Sequence, residues 1–147
     1  MTPALFPLDT PTRARSVLVV EDNDNLRDLL VTVLGMEDDF HVCHGVRTAE
    51  EALEVLSHTT PDLVLADLFL PGMDGFALIA RIKKDRPDVC CVALSGYKEK
   101  DFVHIALDAG ASGYIVKTCP DELISGLRQA LTGQIFLSHA LEPSEAS

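Results

Sequence analysis

The residues best placed to do chemistry are Glu21, Asp22, Asp67, Ser95 and Lys117, because each follows directly on an apolar run. SVLVV (16–20) leads into Glu21-Asp22, LVLA (63–66) into Asp67, VCCVAL (89–94) into Ser95, and GYIV (113–116) into Lys117. Short apolar runs rich in β-branched residues read as buried strands. In a parallel sheet every strand ends on the same edge, and ligands bind in the crevice there. Four distant segments therefore deliver two or three carboxylates, one hydroxyl and one ammonium to one rim. Glu21, Asp22 and Asp67 in close approach repel one another unless a proton or cation relieves them. A hard divalent ion bound through oxygen, most simply Mg²⁺, is the natural remedy. An Asp held between such an ion and a Lys stays ionised and can act as a nucleophile. Metal, ammonium and hydroxyl are the parts that stabilise charge on a phosphoryl group, so the atom attacked is phosphorus. The loop Glu21-Asp22-Asn23-Asp24 repels an anion and attracts a cation.

The elements that must position these residues alternate along the chain. After the strand at 16–20, Leu26, Leu29, Leu30, Val33 and Leu34 fall at helical spacing within 23–36. A strand is expected at 40–46. Thr48 with Glu51 three residues on forms a capping box for the next helix. Strands at 63–66, 89–94 and 113–116 alternate with helices at 75–84, 98–108 and 121–131. Gly110 and Gly133 follow the last two helices and Pro120 precedes the last, as helix ends require. Five apolar strands alternating with five helices predict an α/β doubly wound domain with a parallel sheet covered on both faces, in the order 2-1-3-4-5. Residues 1–15, with three prolines and no periodicity, read as a flexible leader. Residues 16–131 read as the domain and 132–147 as a C-terminal linker or tail.

The stretches VLVVEDNDNLRDLL, DLVLADLFLPGMDG, VALSGY and GASGYIVK together resemble the receiver domain of bacterial two-component response regulators. The likeness covers about residues 16–131 and implies a flavodoxin-like receiver fold. It implies that Asp67 accepts a phosphoryl group from a sensor histidine kinase, with Mg²⁺ held by Asp22 directly and by Glu21 mainly through water. It implies a further ligand in the backbone carbonyl of Phe69. Ser95 would bond a phosphoryl oxygen, Lys117 would ion-pair with it, and Tyr114 matches the aromatic position that follows the hydroxyl in the family's switch. The output would be read at the face of the fourth and fifth helices by an output domain or partner protein, with dimer formation on phosphorylation. The chain departs from the family in having Glu21-Asp22 for the commoner Asp-Asp and the apolar Phe69 beside the phosphorylation site. It also has Thr118 directly after Lys117, where proline is usual, so no cis peptide is expected there.

Composition narrows the alternatives. The 147 residues carry a formal charge of −11, which argues against direct binding of nucleic acid. No apolar run approaches the roughly 18 residues of a membrane span, and no secretory signal opens the chain, so a cytoplasmic location is expected. Cys43, Cys90, Cys91 and Cys119 lack metal-site spacing and read as reduced, buried hydrophobes, with Cys90 and Cys91 on opposite faces of one strand. His41 and His44, three apart in an extended stretch, are likewise expected on opposite faces. Gly72 and Gly75 read as turn geometry at the rim, and Glu37-Asp38-Asp39 and Glu50-Glu51 as solvated acids. A phosphatase of the haloacid dehalogenase type needs a second Asp where Phe69 stands. A pseudo-receiver, acting without phosphorylation, usually lacks one of the acids or the Lys, and all are present. The segment 131–138 resembles the junction through which one large receiver subfamily, the LuxR type, leads into a helix-turn-helix domain.

Overall fold

The computed structural model describes residues 13–118 and 120–141. In chain order these form β1 (Arg15–Val20), α1 (Asp24–Gly35), β2 (Phe40–Val46), α2 (Ala49–Leu56), β3 (Leu63–Asp67), α3 (Gly75–Asp85), β4 (Cys90–Ser95), α4 (Lys100–Ala109), β5 (Gly113–Val116), a 3-10 turn (Pro120–Glu122), α5 (Leu123–Leu131), β6 (Phe136–Leu137) and a second 3-10 turn (His139–Leu141). The sheet order is β2-β1-β3-β4-β5-β6, and every adjacent pair is parallel. The expected five-strand order is thus present, extended by a short sixth strand drawn from residues expected to form a linker or tail. Residues 1–12 of the expected leader, Cys119 and residues 142–147 lie outside the described residues. Arg15 already belongs to β1.

The two-residue alternation of the strands divides the core. Val17 and Val19 of β1 face α1 and α5, where Leu30, Leu34, Leu123 and Leu127 complete one cluster. Leu18 and Val20 face the other side, with Ala49 and Ala52 of α2, Leu78 and Ile79 of α3, and Val103 and Ala106 of α4. Cys90 packs with the first cluster and Cys91 with the second, as their adjacency in one strand demands. All five residues of β3 are buried, consistent with a central strand.

Helix starts follow local polar chemistry. Side-chain oxygens of Asn23, Thr48 and Asp74 accept from the backbone N–H groups of Leu26, Glu51 and Ala77, each such cap stabilising by about 1 kcal/mol. The capping box at Thr48 is shifted by one residue, because Glu51 Oε1 accepts from Arg47 N at 2.8 Å. The expected opposition of His41 and His44 does not occur. Residue 43 is an extra residue in β2, so His41 pairs with Ser16 and His44 with Leu18, two positions that share a face of β1.

Candidate functional site

Asp67 is the last residue of β3 and is almost wholly buried. The chain turns back beyond it. Leu68 N donates to Leu94 O at 3.2 Å, and Gly75 N, opening α3, donates to Leu68 O at 2.8 Å. Gly72 takes φ +75° in this turn, a left-handed conformation glycine adopts without steric cost. The following Met73 N donates to Glu50 Oε2 at 3.2 Å, so Glu50 braces the loop and is not merely solvated. Gly75 has a different role from the turn expected of it. A Cβ there would overlap the carbonyl oxygen of Asp67 and lie 2.6 Å from Leu68 Cα. α3 therefore starts in backbone contact with the end of β3.

Glu21 leaves β1 beside Asp67 and is fully buried. Its backbone is pinned by Glu21 N donating to Val46 O at 3.0 Å and by Arg27 Nη1 donating to its carbonyl at 2.9 Å. Its Oε2 accepts from Asn23 N at 3.0 Å. Asp22 is exposed. One carboxylate oxygen from each of Glu21, Asp22 and Asp67 lies within 4.8 Å of the others. Lys117, the first residue after β5, sends Nζ to Asp67 Oδ2 at 3.0 Å and to Glu21 Oε1 at 3.2 Å. The other Asp67 oxygen accepts from Phe69 N at 3.2 Å. With Asn23, Phe69, Gly96 and Tyr97, these four side chains line one open cleft.

The electrostatics favour a cation. Three carboxylates face one ammonium, and charges on two oxygens no more than 4.8 Å apart repel by about 3 kcal/mol or more at an effective dielectric constant of about 20. Burial, followed by the charge of Asp67, raises the Glu21 carboxyl above its ordinary value, although the Asn23 N–H and Lys117 oppose this. Burial alone would lower Lys117, but its hydrogen bond to Asp67 and the charges of Asp67 and Glu21 outweigh that and raise it, so it remains an ammonium. Glu21 Oε1 is buried and accepts no hydrogen bond, its contact with Lys117 being an ion pair only. An oxygen so placed, in an all-oxygen set near neutralisation by a divalent ion, fits Mg²⁺ chemistry.

Ser95 and Tyr114 are placed differently. Both are fully buried, and both bind the backbone of Tyr97. Ser95 Oγ accepts from Tyr97 N at 3.0 Å, while Tyr114 OH donates to Tyr97 O at 2.7 Å. The structure thus brings Glu21, Asp22, Asp67 and Lys117 into direct company, while Ser95 and Tyr114 meet through the turn at 96–97.

A further feature escaped the sequence reading. Phe69 stacks edge-on against Phe76, Tyr97 and Phe102, with ring centroids 5.7, 4.8 and 5.1 Å away. Tyr97 and Phe102 are 5.4 Å apart. Phe69 and Tyr97, both partly exposed, line the cleft, and Phe76 and Phe102 back Phe69. They come from separate segments and follow no helix or strand period. The available signal was that Phe69 and Tyr97 each stand two residues beyond a strand-end polar residue.

Burial disfavours the thiolate at each described cysteine. Among the described residues Cys43, Cys90 and Cys91 are free, and burial raises all three, Cys91 to about 12.

A family model, the response regulator receiver domain, matches residues 17–128. The uncharacterized transcriptional regulatory protein YhcZ of Bacillus subtilis is 37% identical over 128 residues, covering 86% of this chain and 59% of its own length. The nitrate/nitrite response regulator protein NarL of Escherichia coli K12 is 31% identical over 129 residues, covering 87% of this chain and 60% of that protein. The chain therefore spans about three fifths of the length of these curated relatives. Among solved structures, a LuxR-family two-component response regulator from Aurantimonas sp. SI85-9A1 superposes with a TM-score of 0.83 at 26% identity, over 87% of this chain and 92% of that one.

Proposed function

This chain belongs to the response regulator receiver domain family, and on that premise we propose that it is a phosphorylation-activated signalling switch whose acceptor is Asp67. The observation that carries the reading is Lys117 Nζ, 3.0 Å from Asp67 Oδ2, beside three carboxylates gathered within 4.8 Å. The donor is the phosphohistidine of a sensor histidine kinase. A carboxylate oxygen of Asp67 bonds to phosphorus as the P–N bond breaks, and the departing imidazole nitrogen keeps the electron pair. Lys117 supplies fixed positive charge for the incoming phosphoryl oxygens. When bound, Mg²⁺ would supply the remaining neutralisation, and Asp22, Asp67, Glu21 and the carbonyl of Phe69 would hold it.

Ser95 acts as the sensor of the modification. Its hydroxyl accepts from Tyr97 N at 3.0 Å and keeps its proton free for a phosphoryl oxygen, so a shift of Ser95 toward the phosphoryl group pulls on the 96–97 turn. The Tyr97 carbonyl holds Tyr114 at 2.7 Å, so movement of the 96–97 turn is felt at Tyr114. Phosphorylation thereby shifts an equilibrium between two arrangements of the α4–β5–α5 face, where an output domain or partner protein docks or a dimer forms. With a net charge of −11 the chain itself makes no direct contact with nucleic acid in this reading. No described helix is long and apolar enough to cross a membrane, and the phosphorelay works in the cytoplasm. As a unit, the receiver is residues 16–131, with the short β6 that follows paired onto the edge of its sheet.

Incubation with acetyl phosphate and Mg²⁺ should give a phosphoryl adduct by mass spectrometry, absent when EDTA replaces Mg²⁺ and absent in Asp67→Asn. An adduct that persists in Asp67→Asn overturns the assignment.

A further inference from the structure

The segment after α5 is fastened to the sheet by more than the two residues of β6. Phe136 N donates to Ser112 O and Ser138 N to Tyr114 O, both at 3.0 Å. Ser138 is fully buried, and its Oγ accepts from Val116 N at 2.8 Å. The helix beneath has a slot for this segment. A Cβ at Gly126, in the middle of α5, would lie 2.7 Å from two ring carbons of Phe136. A helix-interior glycine costs about 0.5–1 kcal/mol relative to alanine, and here it is explained by the ring it admits.

Two of these ties fall on the part of β5 that leads into the site. The Tyr114 carbonyl accepts from the strap, the Val116 N–H donates to it, and the next residue is Lys117. Lys117 N donates to Ser95 O at 2.8 Å, and its Nζ reaches Asp67 and Glu21. Without Ser138 the buried Val116 N–H loses its acceptor, and a buried donor left unpaired is strongly disfavoured. The strand would then relax at the residue that sets the origin of the Lys117 side chain.

We propose that Ser138 is a positioning residue of the site, and that the strap it anchors, residues 136–138, is energetically coupled to phosphoryl binding at Asp67. This rests on the switch reading above and adds a direction to it. The strap stabilises the arrangement in which Lys117 is engaged with Asp67, so anything that releases the strap weakens phosphoryl binding. By linkage, phosphoryl binding must tighten the strap by the same factor.

The test uses the full 147-residue chain with Mg²⁺ and beryllofluoride as the phosphoryl probe. Amide hydrogen exchange is followed at Phe136 and Ser138 in the wild type with and without beryllofluoride. Beryllofluoride is also titrated into Ser138→Ala, Ser138→Thr and Gly126→Leu. Exchange at both amides should slow by about fivefold on binding, within the usual range of site–site coupling. Affinity should fall by a similar factor in Ser138→Ala, recover in Ser138→Thr, which retains the acceptor oxygen, and fall in Gly126→Leu, which evicts Phe136 while leaving Ser138 intact. Binding to the wild type with unchanged strap exchange overturns the coupling whether or not the variants fold, and so does wild-type affinity in both Ser138→Ala and Gly126→Leu. A wild type that does not bind beryllofluoride at all fails the switch reading itself, and that result appears before any variant is made.

Discussion

At the scale of single residues, the site depends on contacts that leave no room for a methyl group. Gly75 is the sharpest case, since a Cβ there would run into the Asp67 carbonyl oxygen and Leu68 Cα. Both neighbours are backbone, one the last residue of the buried β3 and the other the buried residue just beyond it, and neither can yield cheaply. Gly75→Ala should therefore destabilise by about 3 kcal/mol or more, the upper end of overpacking costs. Gly72→Ala should cost less, about 1–2 kcal/mol, from its left-handed φ of +75°. Its nearest obstacle is the movable Glu50 carboxylate at 3.1 Å. Urea denaturation of both variants checks the order, and a Gly72→Ala loss exceeding that of Gly75→Ala contradicts the packing argument. The acids and the Lys were legible in the sequence because the ends of parallel strands must share an edge. Gly75 was not, because a close approach between two backbones has no periodic signature. Glu50 and Glu51 are solvent-exposed as expected, but their backbone hydrogen bonds were not legible, because a carboxylate that accepts from Met73 N or Arg47 N looks, in sequence, like any acid on a helix face.

At the scale of elements, the site depends on strand register that is set at the opposite edge of the sheet. There Asp62, just before β3, accepts from Ser16 N at 2.8 Å, while Asp62 N donates to Ser16 Oγ at 3.2 Å. This reciprocal pair fixes β1 against β3, the strands that carry Glu21, Asp22 and Asp67. Partial burial pushes the Asp62 carboxyl up, but the Ser16 N–H and Arg13 outweigh it and hold the group below its ordinary value of 3.8. A depressed value means the tie is fully present above about pH 4 and is lost as the pH falls through the lower folded-state value. Asp62→Ala should cost about 2 kcal/mol at pH 7, as expected for a hydrogen bond to a charged group. The difference from wild type should be the same at pH 5 and narrow below pH 3.8. A gap that widens on acidification would falsify the assignment. Most elements could be placed from periodicity and caps to within a residue or two. The extra residue in β2 could not, because a bulge is set by pairing with β1 rather than by the composition of 40–46. Nor could β6, whose two residues are too few to carry an alternation and whose place depends on Gly126 opening α5 to Phe136.

At the scale of the whole molecule, the net charge of −11 means that folding gathers like charges everywhere and concentrates them most at the cleft. Some of that repulsion is relieved locally. Arg128 pairs with Glu37 and Asp39, which the sequence suggested were merely solvated, and Arg47 and Arg27 pair with Asp24. The cleft is the exception, with three carboxylates against Lys117 alone and a buried Glu21 oxygen without a hydrogen bond. A divalent cation that binds there binds only the folded chain, because the unfolded chain scatters Glu21, Asp22 and Asp67 along its length. Folding and ion binding are then linked. At Mg²⁺ near ten times its dissociation constant the folded state should gain about 1.4 kcal/mol, which for a chain of this size raises Tm by about 3–5 °C. Calorimetry with MgCl₂ against NaCl at matched ionic strength separates this from general screening, since screening acts on every exposed acid whichever salt is used. Asp22→Asn should remove the Mg²⁺-specific increment while keeping the NaCl response, because Asp22 is exposed and contributes little to packing. An equal rise in the two salts, or an undiminished Mg²⁺ increment in Asp22→Asn, would mean that the repulsion is spread over the surface and that the cleft holds no ion.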